Sequence, residues 1–170
     1  HNLILFVPDG LRGGIVKPET APAMAEVRDK GINFKNSHSL FPTFTTANAS
    51  AMSTGHYLGD TGDFSNTIYT AYPVAPAGGT VVPFLENDLV LGDVDAHFKG
   101  DYLNEETILR MAREKGYSTA AIGKLGPTLI FDHTDRADRP GLHSIVIDDA
   151  TGSEKGVPLS DEMKAALTSA

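Results

Sequence analysis

The chain has 170 residues, 41% of them hydrophobic and 21% charged, which is enough for one domain with a real hydrophobic core. Its net charge of -8 argues against a nucleic-acid backbone or an anionic membrane surface as the main partner, but not against a small phosphorylated substrate held by a local metal charge. With no cysteine, disulfides and thiolate metal sites are excluded, and no apolar run approaches the ~20 residues of a membrane-spanning helix.

In chain order, Leu3-Ile-Leu-Phe-Val7 reads as a buried strand that delivers Asp9, in Pro8-Asp9-Gly10, to its carboxyl end. Residues 21–30 have helical spacing and Gly31 closes them, after which 32–40 alternate like a second strand. Residues 46–53 are rich in small side chains and read as a helix, with Thr45 just ahead of it. Residues 55–62 are expected to be a loop. The stretch 63–102 carries Pro73, Pro76, Gly78, Gly79, Pro83, Gly92 and Gly100, which suits a loop-rich insertion or cap over a site. Asn104 is the expected cap of a helix over 105–115, ended by Gly116. Strands are expected at 118–122 and 143–148, with 129–131 a further candidate. Ser160 opens a final helix. Strands alternating with helices at this spacing imply an α/β fold with a mainly parallel sheet flanked by helices. Both ends of the chain are abrupt, and they are expected to be those of a fragment that lacks the C-terminal part of its domain.

Two pieces carry chemistry. A strand that ends in a carboxylate and a threonine at a helix start are what metal-assisted attack on phosphorus uses, with the helix N-terminus available to an anion. Asp9 is otherwise a turn former, and Thr45 or Thr46 otherwise a helix cap. Asn48 lies three residues beyond Thr45, within reach of the same helical face. Lys124 follows an expected strand and points to the same sheet edge, or else is a solvated loop lysine.

Pro8-Asp9-Gly10, then Phe41-Pro42-Thr43 with Thr45 and Asn48, closing on Ser53-Thr54-Gly55, resembles the N-terminal part of the type I phosphodiesterase/nucleotide pyrophosphatase family of the alkaline phosphatase superfamily. The resemblance continues more weakly through 103–109 and 117–124. It implies a three-layer sandwich of the alkaline phosphatase type, and hydrolysis of phosphodiester or nucleotide pyrophosphate bonds through a phosphothreonine on Thr45. It also implies two divalent cations, zinc by family habit, with Asp9 and Thr45 as ligands and Asn48 as donor to a phosphoryl oxygen. Lys124 would contact the phosphoryl group as in relatives with a Lys-x-Arg pattern, although Gly126 stands where the arginine would be. Phosphomonoesterase or phosphonate hydrolase activity, or a non-catalytic binding domain on this scaffold, are the alternatives. Sulfatases are unlike it, since their modification sequence is absent.

The superfamily's Asp-His ligand pair comes later in the chain, so Asp132-His133 is expected to stay away from the metals. Asp95/His97 and Asp138/His143 match no ligand motif, and His1, His38 and His56 read as ordinary histidines. The remaining metal ligands are expected outside this chain, so the segment alone is expected to hold half a site. A periplasmic or extracellular location is expected, with which the absence of cysteine is compatible.

Overall fold

A computed structural model describes residues 2–134 and 143–168. Asp138 and His1 lie outside them. The chain divides into two compact units, 1–39 and 40–170.

In the first unit Leu3–Val7 runs without a strand partner, and its side chains are exposed, Leu3 at 86% and Ile4 at 87%. The expected buried strand is therefore not formed among the described residues. Apolar periodicity marks a segment able to be a core strand, but a strand exists only where a neighbour takes its backbone hydrogen bonds. Asp9 is exposed in a turn that Leu11 N–H closes on the Pro8 carbonyl (3.3 Å), with Gly10 at φ 70°. That positive φ is what glycine supplies at the third position of such a turn. Helix α1 (Pro22–Lys30) starts on a proline, whose missing N–H costs nothing there, and buries Ala25. Arg28 ties it to the preceding loop by donating to the Val16 carbonyl. The second expected strand, 32–40, is not formed either: Ser37 N–H closes a turn on Phe34, leaving Ile32 and Phe34 exposed.

The second unit holds the core. Helix α2 (Thr45–Thr54) is followed by the single turn α3 (Leu58–Thr61), inside the expected loop. Gly55 (φ 77°) ends α2 in the left-handed region. Within 63–102 the chain is mostly irregular, stitched by isolated antiparallel bridges Thr67–Phe84 and Val74–Thr80. It then forms helix α4 (Asp88–His97), which the Gly/Pro-rich composition concealed. The Asn87 carbonyl oxygen of the side chain caps α4 by accepting from Leu89 and Val90 N–H. This stretch supplies much of the core: Val74, Leu85, Val90, Leu91 and Val94 join Leu129, Ile130 and Val146.

Helix α5 (Ile108–Glu114) begins later than expected, because Thr107 rather than Asn104 caps it. Asn104 instead donates its N–H to the Thr61 carbonyl. Strand β1 (Ala120–Ile122) leads into helix α6 (Pro127–Ile130), where a strand was the candidate; Pro127 at the first helical position decides it. Strand β2 (Ile145–Ile147) pairs parallel with β1, Ala120 opposite Ile145 and Ile122 opposite Ile147. Helix α7 (Asp161–Thr168) is capped by Ser160, which accepts from Met163 N–H at 3.2 Å. Helices around a parallel strand pair make the unit α/β, and among the described residues the sheet has two strands.

One buried feature has a pH signature. Asp88, at the start of α4, faces Asp148 after β2, and both Asp88 oxygens and one Asp148 oxygen are buried. Burial first, then the Asp148 carboxylate, raises Asp88 from 3.8 to about 7, offset in part by the Gly126 and Val157 amides. One shared proton satisfies such a pair, whereas two negative charges repel. The folded state thus holds a proton more tightly than the unfolded chain. That stabilisation is complete below about pH 4 and is lost as pH rises to about 7, at up to ~1.4 kcal/mol per unit. The denaturant midpoint is expected to fall between pH 5 and pH 8, and Asp88→Asn to flatten that fall. An unchanged slope in Asp88→Asn would assign the dependence to other groups.

Candidate active site

The start of α2 is the best-defined polar site in the second unit. The chain enters it through Phe41-Pro42, a cis peptide, and Phe44 occupies the cap position without a side-chain hydrogen bond. Thr45 is the first helical residue and is half-buried. Thr46 is completely buried, and its hydroxyl donates to the Ser65 carbonyl at 2.8 Å. Its N–H donates to the Asn66 side-chain oxygen at 3.0 Å. The two adjacent threonines therefore differ: Thr46 stitches α2 to residues 65–66, while Thr45 sits at the rim.

Asn48 folds back on the entering loop. Its Oδ1 accepts from Leu40 N–H (2.8 Å), and its Nδ2 donates to the Phe44 (3.0 Å) and Pro42 (3.2 Å) carbonyls. In this arrangement the amide clamps the loop that presents Thr45. Donation to a phosphoryl oxygen would require one carbonyl bond to be exchanged.

Lys124, after β1, pairs with Glu86 at 2.6 Å. The other Glu86 oxygen accepts from Asn66 Nδ2 at 3.3 Å. A continuous polar chain thus runs from the first turn of α2 through Asn66 and Glu86 to Lys124. Neither Asn66 nor Glu86 belongs to a local motif, and only the fold brings them together. Gly126 has a geometric reason: a Cβ there would lie 2.5 Å from the Glu86 Cα, and its φ is 89°. No arginine fits where the Lys-x-Arg pattern would put one.

Beside the entering loop, Leu40, Phe41, Pro42, Tyr57, Leu58, Gly59 and Phe64 line an open groove of about 270 Å³. Phe41 and Tyr57 are among its exposed aromatic rings.

Beneath α2 lies a buried polar cluster that sequence reasoning did not anticipate. Ser50 (2.6 Å) and Tyr102 (2.8 Å) both donate to Asp63 Oδ2. Burial raises the Asp63 carboxyl, against the pull of these two donors. Burial and the neighbouring Asp63 push the Tyr102 phenol well above its ordinary value. The Tyr102 ring meets His133 edge-on at 5.4 Å, and His133 Nδ1 contacts Asp95 Oδ1 at 2.8 Å. Asp132 receives Arg113 on both oxygens, at 2.6 and 2.7 Å, and the Ser144 hydroxyl as well. Asp132 and His133 are therefore interior scaffold partners here. His97 stacks on Tyr72 at 3.6 Å, and half-exposed His56 lies near Asp60 and Glu105.

Among the described residues no three metal-ligating side chains gather into one group. Asp9 belongs to the first unit, and Thr45, Asn48 and Lys124 to the second. A carboxylate and a hydroxyl are hard donors of the right chemistry for a divalent cation, but two are too few to hold one.

The second unit is α/β, with a threonine at a helix start, a polar chain from that helix turn to a lysine, and an apolar groove by the entering loop. The model of the type I phosphodiesterase/nucleotide pyrophosphatase family matches residues 3–169, and the chain belongs to that family. Neither a curated protein nor a solved structure matches it. No helix among the described residues is long and apolar enough to cross a membrane.

Proposed function

We propose that the chain is the Thr45-bearing part of a hydrolase of phosphodiester or nucleotide pyrophosphate bonds, built on the three-layer scaffold of its superfamily. The observation that carries this reading is the contrast in burial at α2: Thr46 is completely buried, while Thr45 stands half-buried at the first helical position. Thr45 Oγ1 attacks phosphorus, an Oγ1–P bond forms and the bond to the leaving oxygen breaks. The departing group takes up a proton. Water then attacks the phosphothreonine and restores the hydroxyl.

The N-terminal end of α2 favours the substrate's negative charge, and Lys124 adds a cation at the end of the polar chain. Asn48 holds the loop that presents Thr45. The aromatic groove offers room for an apolar ester group, which a diester has on both sides of phosphorus. Divalent cations, zinc in our reading, would activate the hydroxyl when bound. Asp9 and Thr45 are the donors this chain would contribute, fewer than a divalent cation needs.

Acid quench during turnover of an aryl phosphodiester, followed by peptide mapping, is expected to find the phosphoryl group on Thr45 of the full-length enzyme. A label on Thr46 would move the nucleophile by one residue. No label on either threonine would end the phosphothreonine reading.

A further inference from the structure

We propose that Glu86 is a charge filter that sets the site for singly charged diesters against doubly charged monoesters. The inference rests on the hydrolase reading above and names the substrate class of that same site.

Two positive features could hold a phosphate at α2, and both are partly occupied from within. The Thr46 N–H, in the first turn, is taken by the Asn66 side-chain oxygen. The Lys124 ammonium is countered by Glu86 at 2.6 Å. Asn66 also donates to Glu86, so one carboxylate is coupled to both features. The residues that present it are rigidly held. Leu85 is fully buried and donates its N–H to the Asn66 carbonyl at 2.8 Å. Gly126 brings the Lys124 loop against the Glu86 backbone. The Glu86 side chain is 11% exposed and that of Lys124 50%, so the carboxylate is the more enclosed partner of the pair.

A carboxylate held here repels any anion on α2, and its effect scales with the charge of that anion. A phosphodiester carries one negative charge, whereas a phosphate monoester carries close to two above its second pKa of about 6. An effective dielectric between that of a protein surface and water makes the extra charge worth on the order of tenfold in relative kcat/KM.

The test uses the full-length enzyme with bis(4-nitrophenyl) phosphate and 4-nitrophenyl phosphate at pH 8 and pH 5. Glu86→Gln keeps the shape and removes the charge. It is expected to raise the monoester-to-diester ratio of kcat/KM on the order of tenfold at pH 8, and less at pH 5, where the monoester is largely singly charged. Glu86→Asp, which keeps the charge, is expected to stay near wild type. Lys124→Met leaves the carboxylate uncountered and should lower the ratio, which provides an opposite-signed check should Glu86→Gln fail to fold. An unchanged ratio in Glu86→Gln, or a parallel fall in both activities at both pH values, overturns the filter. A wild-type enzyme that cleaves neither ester overturns the hydrolase reading itself, and is seen before any variant is compared.

Discussion

Thr45→Ala in the full-length enzyme is expected to lower turnover of an aryl phosphodiester by at least about 10³-fold while substrate still binds. The substitution removes the attacking oxygen. It leaves in place the Asn48 clamp and the Asn66–Glu86–Lys124 chain, whose bonds run through Leu40, Asn48, the Thr46 N–H, Asn66, Glu86 and Lys124. Thr45→Ser retains a hydroxyl and is expected to keep partial activity. Thr46→Ala provides the contrast. Its hydroxyl is fully buried and donates to the Ser65 carbonyl, so its loss should cost about 1–2 kcal/mol of stability. That is more than a lost helix cap at an exposed terminus, yet turnover per folded molecule should change little. Paired denaturant melts and single-turnover assays separate the two effects. If Thr46→Ala abolished chemistry and Thr45→Ala did not, the nucleophile would be Thr46.

What could be read from the sequence depended on how local its cause was. Helices α1 and α7 were legible from Gly31 and Ser160, which act on the adjacent backbone, and α2 from its run of small side chains. The parallel strands β1 and β2 were legible as short apolar runs with turn signals on both sides. Leu3–Val7 and 32–40 carry equally good strand patterns, but pairing is decided by neighbours that a pattern does not contain. Helix α4 was hidden because Asp88 to His97 is preceded by prolines and glycines that suggested continued loop. Asn87, its cap, was the missed signal.

The candidate site divides in the same way. Thr45 and Asn48 could be singled out as candidates by their resemblance to the family's Pro-Thr-x-Thr-x-x-Asn block, as they lie in one helix turn. Asn66 and Glu86 could not, since hydrogen bonds join them to Thr46 and Lys124 across 20 and more positions of chain. By sequence Lys124 is a phosphate contact or a solvated residue, and its ion pair with Glu86 gives it an intermediate character. The missing arginine at Gly126 had no explanation in the sequence. The close approach of the Glu86 backbone supplies one.

The interior acid Asp132 leads to the largest expected effect on stability. Its side chain is fully buried, and Arg113, 14% exposed, covers both carboxylate oxygens. Ser144, which donates a third hydrogen bond, also contacts Thr119 at 2.6 Å, so this one carboxylate links α5 to the approaches of both strands. Arg113→Met keeps most of the aliphatic packing but strands a negative charge in the interior, which should cost about 3–5 kcal/mol. Adding Asp132→Asn removes the charge and should recover much of that loss, because a buried pair stabilises mainly by avoiding its own broken form. A double-mutant cycle in denaturant measures the coupling. The same variants address the chemistry. If Asp132 serves the scaffold, the double variant assayed well below its melting temperature keeps near-normal turnover. If it is fully folded but inactive, Asp132 belongs to the reaction, and the scaffold assignment of the Asp132-His133 pair must be withdrawn.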